Sequence, residues 1–87
     1  MTSTNKPAAK VSLYPVSAAI FRNASEKGDV FYNVTFERSY RDEKGEYQSS
    51  SSFGLGELLL LAKVANLAHS KIYELRAGDR QAEKLEE

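Results

Sequence analysis

Between Val30 and Arg41 the chain alternates with a period of two: Val30, Tyr32, Val34 and Phe36 share one parity, and Asn33, Thr35, Glu37 and Ser39 the other. Only an extended strand sends successive side chains to opposite faces, so this segment is a strand with one face in a core and one in water. Arg38 and Tyr40 continue the apolar parity. Beyond Phe36, therefore, either the strand leaves the core or a bulge reverses its faces, and the sequence leaves both open.

Polar groups bracket this strand. Ahead of it, Ala24-Ser25-Glu26-Lys27-Gly28-Asp29 carries a glycine able to take positive φ, as a hairpin connection requires. Before that connection, Tyr14 to Asn23 alternates again, with Val16, Ala18 and Ile20 against Ser17, Ala19 and Phe21; Pro15 fits only at the start or edge of such a strand. After it, Asp42-Glu43-Lys44-Gly45 forms a second turn, and Glu46 to Phe53 carries Tyr47, Ser49, Ser51 and Phe53 on one side. The serine run Ser49 to Ser52 suits a third strand and also a flexible connector.

From Leu55 to Leu75 the period becomes helical. Leu58, Leu61, Ala65, Ala68 and Ile72 form one stripe, with Leu60, Val64, Leu67 and Leu75 beside it. A small sheet covers one stripe, so the second, closed by Ala62 and Tyr73, calls for the same helix of a second subunit. The expected dimer interface is Leu60, Val64, Leu67, Ile72 and Tyr73. Gly78 is placed to stop the helix, although Asp79 to Glu87 is rich in helix formers and could extend it.

With 87 residues, 41% of them hydrophobic, the chain has apolar side chains for a single domain. The expected organisation is a disordered arm over 1–10, one α+β domain over 11–76, and a charged tail over 77–87. The fold class is a small antiparallel sheet of three or four strands followed by one long carboxy-terminal helix, dimerising. The arm lacks the apolar core of a secretory signal, and the longest apolar run, Leu58 to Ala62, is far too short to span a membrane. A soluble, cytoplasmic or nucleoid-associated protein is expected.

Charge and chemistry narrow the function. Twelve basic residues balance twelve acidic ones, so no long-range field draws in a polyanion. The tail holds four acids and two bases, which leaves the rest mildly basic. With no cysteine and a single histidine, His69, no thiolate or paired-imidazole metal site and no nucleophile–base dyad can be assembled. The carboxylates Asp42, Glu43 and Glu46 sit at a turn without apolar surroundings, and Gly54-Leu55-Gly56 lacks the remaining residues of a phosphate-binding loop. A non-enzymatic protein without metal, cofactor or small-molecule substrate is expected. Aromatic and basic residues interleave along the strands instead, a pattern that stacks on unpaired bases and neutralises phosphate.

The order strand, strand, strand, helix, with Phe36-Glu37-Arg38-Ser39-Tyr40-Arg41-Asp42-Glu43-Lys44-Gly45-Glu46 followed by Ser52-Phe53-Gly54-Leu55, resembles the carboxy-terminal domain of the transcriptional positive cofactor four family. That family has a strand ending in Arg-Glu-Tyr, a Gly-Glu turn, a third strand and an amphipathic helix. The similarity runs from about Val16 to Leu75, and the plant Whirly proteins share the fold family. It implies a homodimer whose curved sheets hold single-stranded DNA or locally melted duplex, in transcription or genome maintenance. By position, Arg38 matches a basic family residue and Arg41 an aromatic one, while Arg22 and Lys27 fall in a hairpin that carries further contacts. One departure is that Gln48 to Ser52 is uncharged where the family is rich in Lys and Gly, which removes phosphate contacts and with them affinity.

The first expectation is thus a dimeric single-stranded DNA- or RNA-binding protein, a transcriptional regulator or coactivator-like cofactor. Phe21, Phe31 and Tyr47 would stack on bases, and Arg22, Lys27, Arg38, Arg41 and Lys44 would contact phosphate. The alternative is a protein-interaction or assembly module on the same dimeric fold, favoured by neutral charge and the bare serine strand.

Overall fold

The alternating segments do become strands. The computed structural model describes residues 6–86, with side chains to residue 80; residues 1–5 of the expected arm lie outside the described residues. Strands β1 (Ala9–Leu13), β2 (Val16–Ala24), β3 (Val30–Arg41) and β4 (Tyr47–Ser50) precede a single 3-10 turn (Leu55–Glu57) and helix α1 (Leu58–Glu86). The sheet is an antiparallel meander in the order β1-β2-β3-β4. This is the α+β architecture of a four-stranded antiparallel sheet followed by one long carboxy-terminal helix.

Residues 9 and 10 belong to β1 and not to an arm. Ala9, Val11 and Leu13 pair with Ile20, Ala18 and Val16, which extends the apolar row of β2 by one strand. A two-residue turn joins them, with a cis bond between Tyr14 and Pro15, so Pro15 stands just ahead of β2. The β2–β3 turn places Gly28 at φ +89°, and the β3–β4 turn places Gly45 at +81°, a region that favours residues without a Cβ.

Register settles the parity of Arg38. Val16 faces Arg38, Ala18 faces Phe36 and Ile20 faces Val34 in unbroken sequence, and Arg38 then faces Ser50 of β4. No bulge intervenes, so Arg38 and Tyr40 stay on the side that bears Val34 and Phe36. The serine run divides: Ser49 and Ser50 close β4, and Ser51 and Ser52 lead towards the helix.

The core consists of Val16, Ala18 and Ile20 from β2 against Val64 and Ala68 from α1, all at most 2% exposed. Leu60, Leu61, Ile72 and Leu75 pack around them. The inward row therefore runs between the two stripes read from sequence, because a helix seats the line midway between adjacent apolar rows. Leu60, Val64 and Ile72, expected at a subunit interface, face the sheet of their own chain. Leu67 is half-buried and Tyr73 is exposed.

The helix does not stop at Gly78 but continues to Glu86, so the expected tail 77–87 is helical as far as the described residues run. From Leu60 to Asp79 it spans about 28 Å at 1.5 Å per residue, close to the roughly 26 Å of β2. Gly78 lies in helix interior, with open space where a Cβ would stand. Replacing Gly78 with Ala should accordingly stabilise the protein by about 0.5–1 kcal/mol in denaturant unfolding, whereas a glycine that terminated the helix would lose stability on the same change.

Candidate nucleic-acid interface

One helix on one face leaves the other face of the sheet open among the described residues. By register that face carries Lys10 and Ser12 from β1; Ser17, Ala19, Phe21 and Asn23 from β2; Phe31 to Arg41 at odd positions from β3; and Tyr47 and Ser49 from β4. A groove of about 370 Å³ crosses it, floored by Ser12, Ser17, Ala19 and Thr35 and edged by Lys10, Phe21 and Glu37. Small side chains along the middle of three strands make this depression.

Aromatics flank the groove. Phe21 faces Asn33 and Phe31 faces Asn23, so the two rings are diagonal neighbours on one face, within reach of each other. Phe31 is 47% exposed. At the far end Arg41 and Tyr47 are directly opposed; the guanidinium carbon lies 4.8 Å from the ring centroid, and Arg41 Nη2 donates to the Tyr47 hydroxyl at 3.3 Å. Phe31 and Arg41 are ten residue steps apart on β3, about 33 Å of strand.

The remaining candidates are elsewhere. Arg22 and Arg38 project to the helix side. Arg22 Nε donates to Asp79 Oδ1 at 3.2 Å, and the Tyr32 hydroxyl donates to the same carboxylate. The neighbouring Asp79 charge raises the Arg22 pKa, and burial followed by the hydrogen bond to Asp79 raises that of Tyr32. Arg38 Nε donates to the Ser52 carbonyl at 2.8 Å, lies 3.9 Å from Glu57 Oε1, and has its guanidinium carbon 5.4 Å from the Tyr40 ring centroid. The Glu57 carboxylate in turn accepts from the Gly54 N–H at 2.8 Å. Arg38 thus ties the sheet to the segment that leads into the helix, and Arg22 to the helix at Asp79, two turns before its end at Glu86. Lys27 and Lys44 stand exposed in the β2–β3 and β3–β4 turns.

The structure therefore brings Phe21, Phe31, Arg41 and Tyr47 onto one face, with Lys27 and Lys44 at its rims, and removes Arg22 and Arg38 from it. Lys10 joins the face unanticipated. Its signal is the alternation Ala9-Lys10-Val11-Ser12-Leu13, of which two residues fall within the expected arm. His69 is exposed on α1, its ring edge-on to Tyr73 at 4.9 Å between centroids. Among the described residues no group of three or more His, Cys, Asp or Glu side chains is arranged to hold a metal ion, and no helix is long and apolar enough to cross a membrane. Comparison with protein-family profiles, with curated proteins and with solved structures finds no match to this chain.

The turn that presents Tyr47 is built on Asp42. Its carboxylate accepts from the backbone N–H groups of Lys44 and Glu46 at 2.9 and 3.0 Å and from Gln48 Nε2 at 3.1 Å. The Glu46 N–H chiefly, then Gln48 and the N–H groups of Lys44 and Gly45, holds the Asp42 pKa below the usual aspartate value. A depressed folded-state pKa contributes stability above the unfolded value of about 3.9, and loses it as pH falls through the folded one. Acid titration of unfolding should show this loss in the wild-type protein, and Asp42→Ala, already less stable at neutral pH, should lose less on further acidification.

Proposed function

We propose that the open sheet face binds single-stranded nucleic acid by stacking, with the chain acting as a homodimer in transcription or genome maintenance and performing no catalysis. The observation that carries this reading is the diagonal Phe21–Phe31 pair on a face that no described element covers. An exposed Phe31 ring and a half-buried Phe21 ring beside a groove of small side chains suit the faces of unpaired bases, and such stacking contributes about 1–3 kcal/mol per base. Lys10 and Arg41 on the face and Lys27 and Lys44 at the turns supply the phosphate contacts, against Glu37 within the groove. With four such contacts, the logarithmic salt slope for a single strand would be about −3. Binding of this kind combines stacking with a clear dependence on salt, about fifty-fold in affinity for a fourfold rise in concentration.

A second reading has its own observation. Leu55 is 89% and Leu59 84% exposed at the start of the helix, with Leu58 beside them. An apolar tip of this kind suits a protein partner, as an assembly module would require.

Fluorescence anisotropy with labelled single-stranded and duplex oligonucleotides separates the two. Preference for the single strand, weakened at least about fivefold by either Phe21→Ala or Phe31→Ala, supports the stacking face; absence of binding at low salt rejects it in favour of a protein partner. Arg41→Ala should flatten the salt dependence. Arg38→Ala should leave affinity nearly unchanged and instead cost about 1 kcal/mol of stability, the worth of its hydrogen bond to the Ser52 carbonyl.

A further inference from the structure

Strand β3 is long and its outer neighbour is short. β2 covers Val30 to Arg38 on one side, but β4 pairs only with Arg38 to Arg41 on the other. The Ser39 N–H bonds to the Pro15 carbonyl, towards β2, whereas the Asp42 N–H bonds to the Glu46 carbonyl, towards the β4 side. Backbone groups alternate in direction along a strand, so the N–H and C=O groups of Val30, Tyr32, Val34 and Phe36 point to the edge that β4 leaves free. No described residue pairs with them.

Exposed edges are ordinarily protected by charge, proline, a bulge or brevity. β1 is five residues long and carries Lys10, with Pro7 just ahead of it; β4 is four residues long. The segment Val30-Phe31-Tyr32-Asn33-Val34-Thr35-Phe36 has none of these protections: it holds no charge, no proline and no glycine, and its pairing with β2 is regular throughout. The helix lies mainly across β1 and β2, so Tyr32, Val34 and Phe36 remain half-buried beside this edge.

We propose that this edge pairs with the same edge of a second copy, antiparallel about a two-fold axis at Asn33, joining two sheets into one. The existing strand pairings fix the register. A two-fold axis normal to the sheet keeps faces together, so it must pass through a residue and not between two. Centring on Val34 would set Val30 of the second copy against Arg38, where Ser50 already sits. Centring on Asn33 uses residues 30–36 alone, and the chain turns away beyond them at Gly28. It also matches chemistry to chemistry: Val30 meets Phe36 and Tyr32 meets Val34 on the helix side, while Phe31 meets Thr35 and Asn33 meets itself on the open side. The inference rests on the homodimeric part of the proposed function and places both Phe31 rings near the centre of a doubled open face.

Because Asn33 directs its own N–H and C=O towards β2, the two Asn33 residues form a non-hydrogen-bonded pair, with Cα atoms about 4.5 Å apart, within disulfide range. The chain has no cysteine, which makes the test clean. Without nucleic acid, Asn33→Cys should cross-link to a dimer of twice 9.7 kDa on mild oxidation, and Thr35→Cys, which faces Phe31, should not. Asn33→Lys, which opposes two like charges, should keep the wild-type circular dichroism and raise the dimer dissociation constant at least about tenfold in sedimentation. A wild-type protein that stays monomeric at all concentrations overturns both the edge and the homodimer, leaving the stacking face to be judged by anisotropy. A dimer that survives Asn33→Lys and falls apart with Leu59→Lys overturns the edge alone.

Discussion

The structure depends on one buried row. Val16, Ala18 and Ile20 are enclosed by β1 and β3 on either side and by Val64 and Ala68 of the helix below. Burying a valine or isoleucine contributes roughly 1.5–3 kcal/mol, so a core of five side chains has little to spare. Centring it on β2 fixes where the helix lies. A single helix about 10 Å wide covers two strands at 4.8 Å spacing, and here those strands are β1 and β2. The open face, the half-buried margin of β3 and the free edge all follow from that placement.

A small apolar centre is supplemented by two polar clamps, one at the entry to the helix and one in its carboxy-terminal half. At its start, Arg38 reaches the Ser52 carbonyl and Glu57, and Glu57 accepts from the Gly54 N–H, so β3 holds the loop that feeds the helix. Towards its end, Arg22 and Tyr32, cross-strand neighbours, share the Asp79 carboxylate. Two of the five cations expected at phosphate, Arg22 and Arg38, are here structural, while Arg41 stays on the open face and Lys27 and Lys44 at its rims.

Much of the fold was legible, because period two and period 3.6 are written directly into 16–24, 30–41 and 58–75. What was not legible has physical causes. Ala9, Val11 and Leu13 are three modest side chains after a Pro, Ala and Lys stretch, too short a run to outweigh a composition typical of a disordered arm. Glycine at 78 is a weak stop when the flanking residues favour helix, and tertiary contact at Asp79 carries the helix through. The inward helical row was split between two stripes because Leu60 and Leu61 both flank it. For the candidate site, parity placed Phe21 and Phe31 opposite the core and Tyr47 was read from its place near the second turn, and all three stand on the open face; the fate of Arg22 could not be read, since Asp79 lies 57 residues away in sequence. Arg38 was lost to a backbone carbonyl, which leaves no mark on a sequence.

Each strand in this meander pairs with its sequence neighbour, so the sheet closes only short loops, whose entropic cost is small. The Arg22–Asp79 contact is different, for it joins residues that a flexible chain would bring together rarely. The helix removes that difficulty. Once Val64 is seated against β2, the intervening four turns form a rigid rod that delivers the carboxylate to the guanidinium at a fixed reach. The pair therefore forms at the high effective concentration of a stiff tether and not at that of a long loop, and the helix acts on it as a lever whose fulcrum is the core.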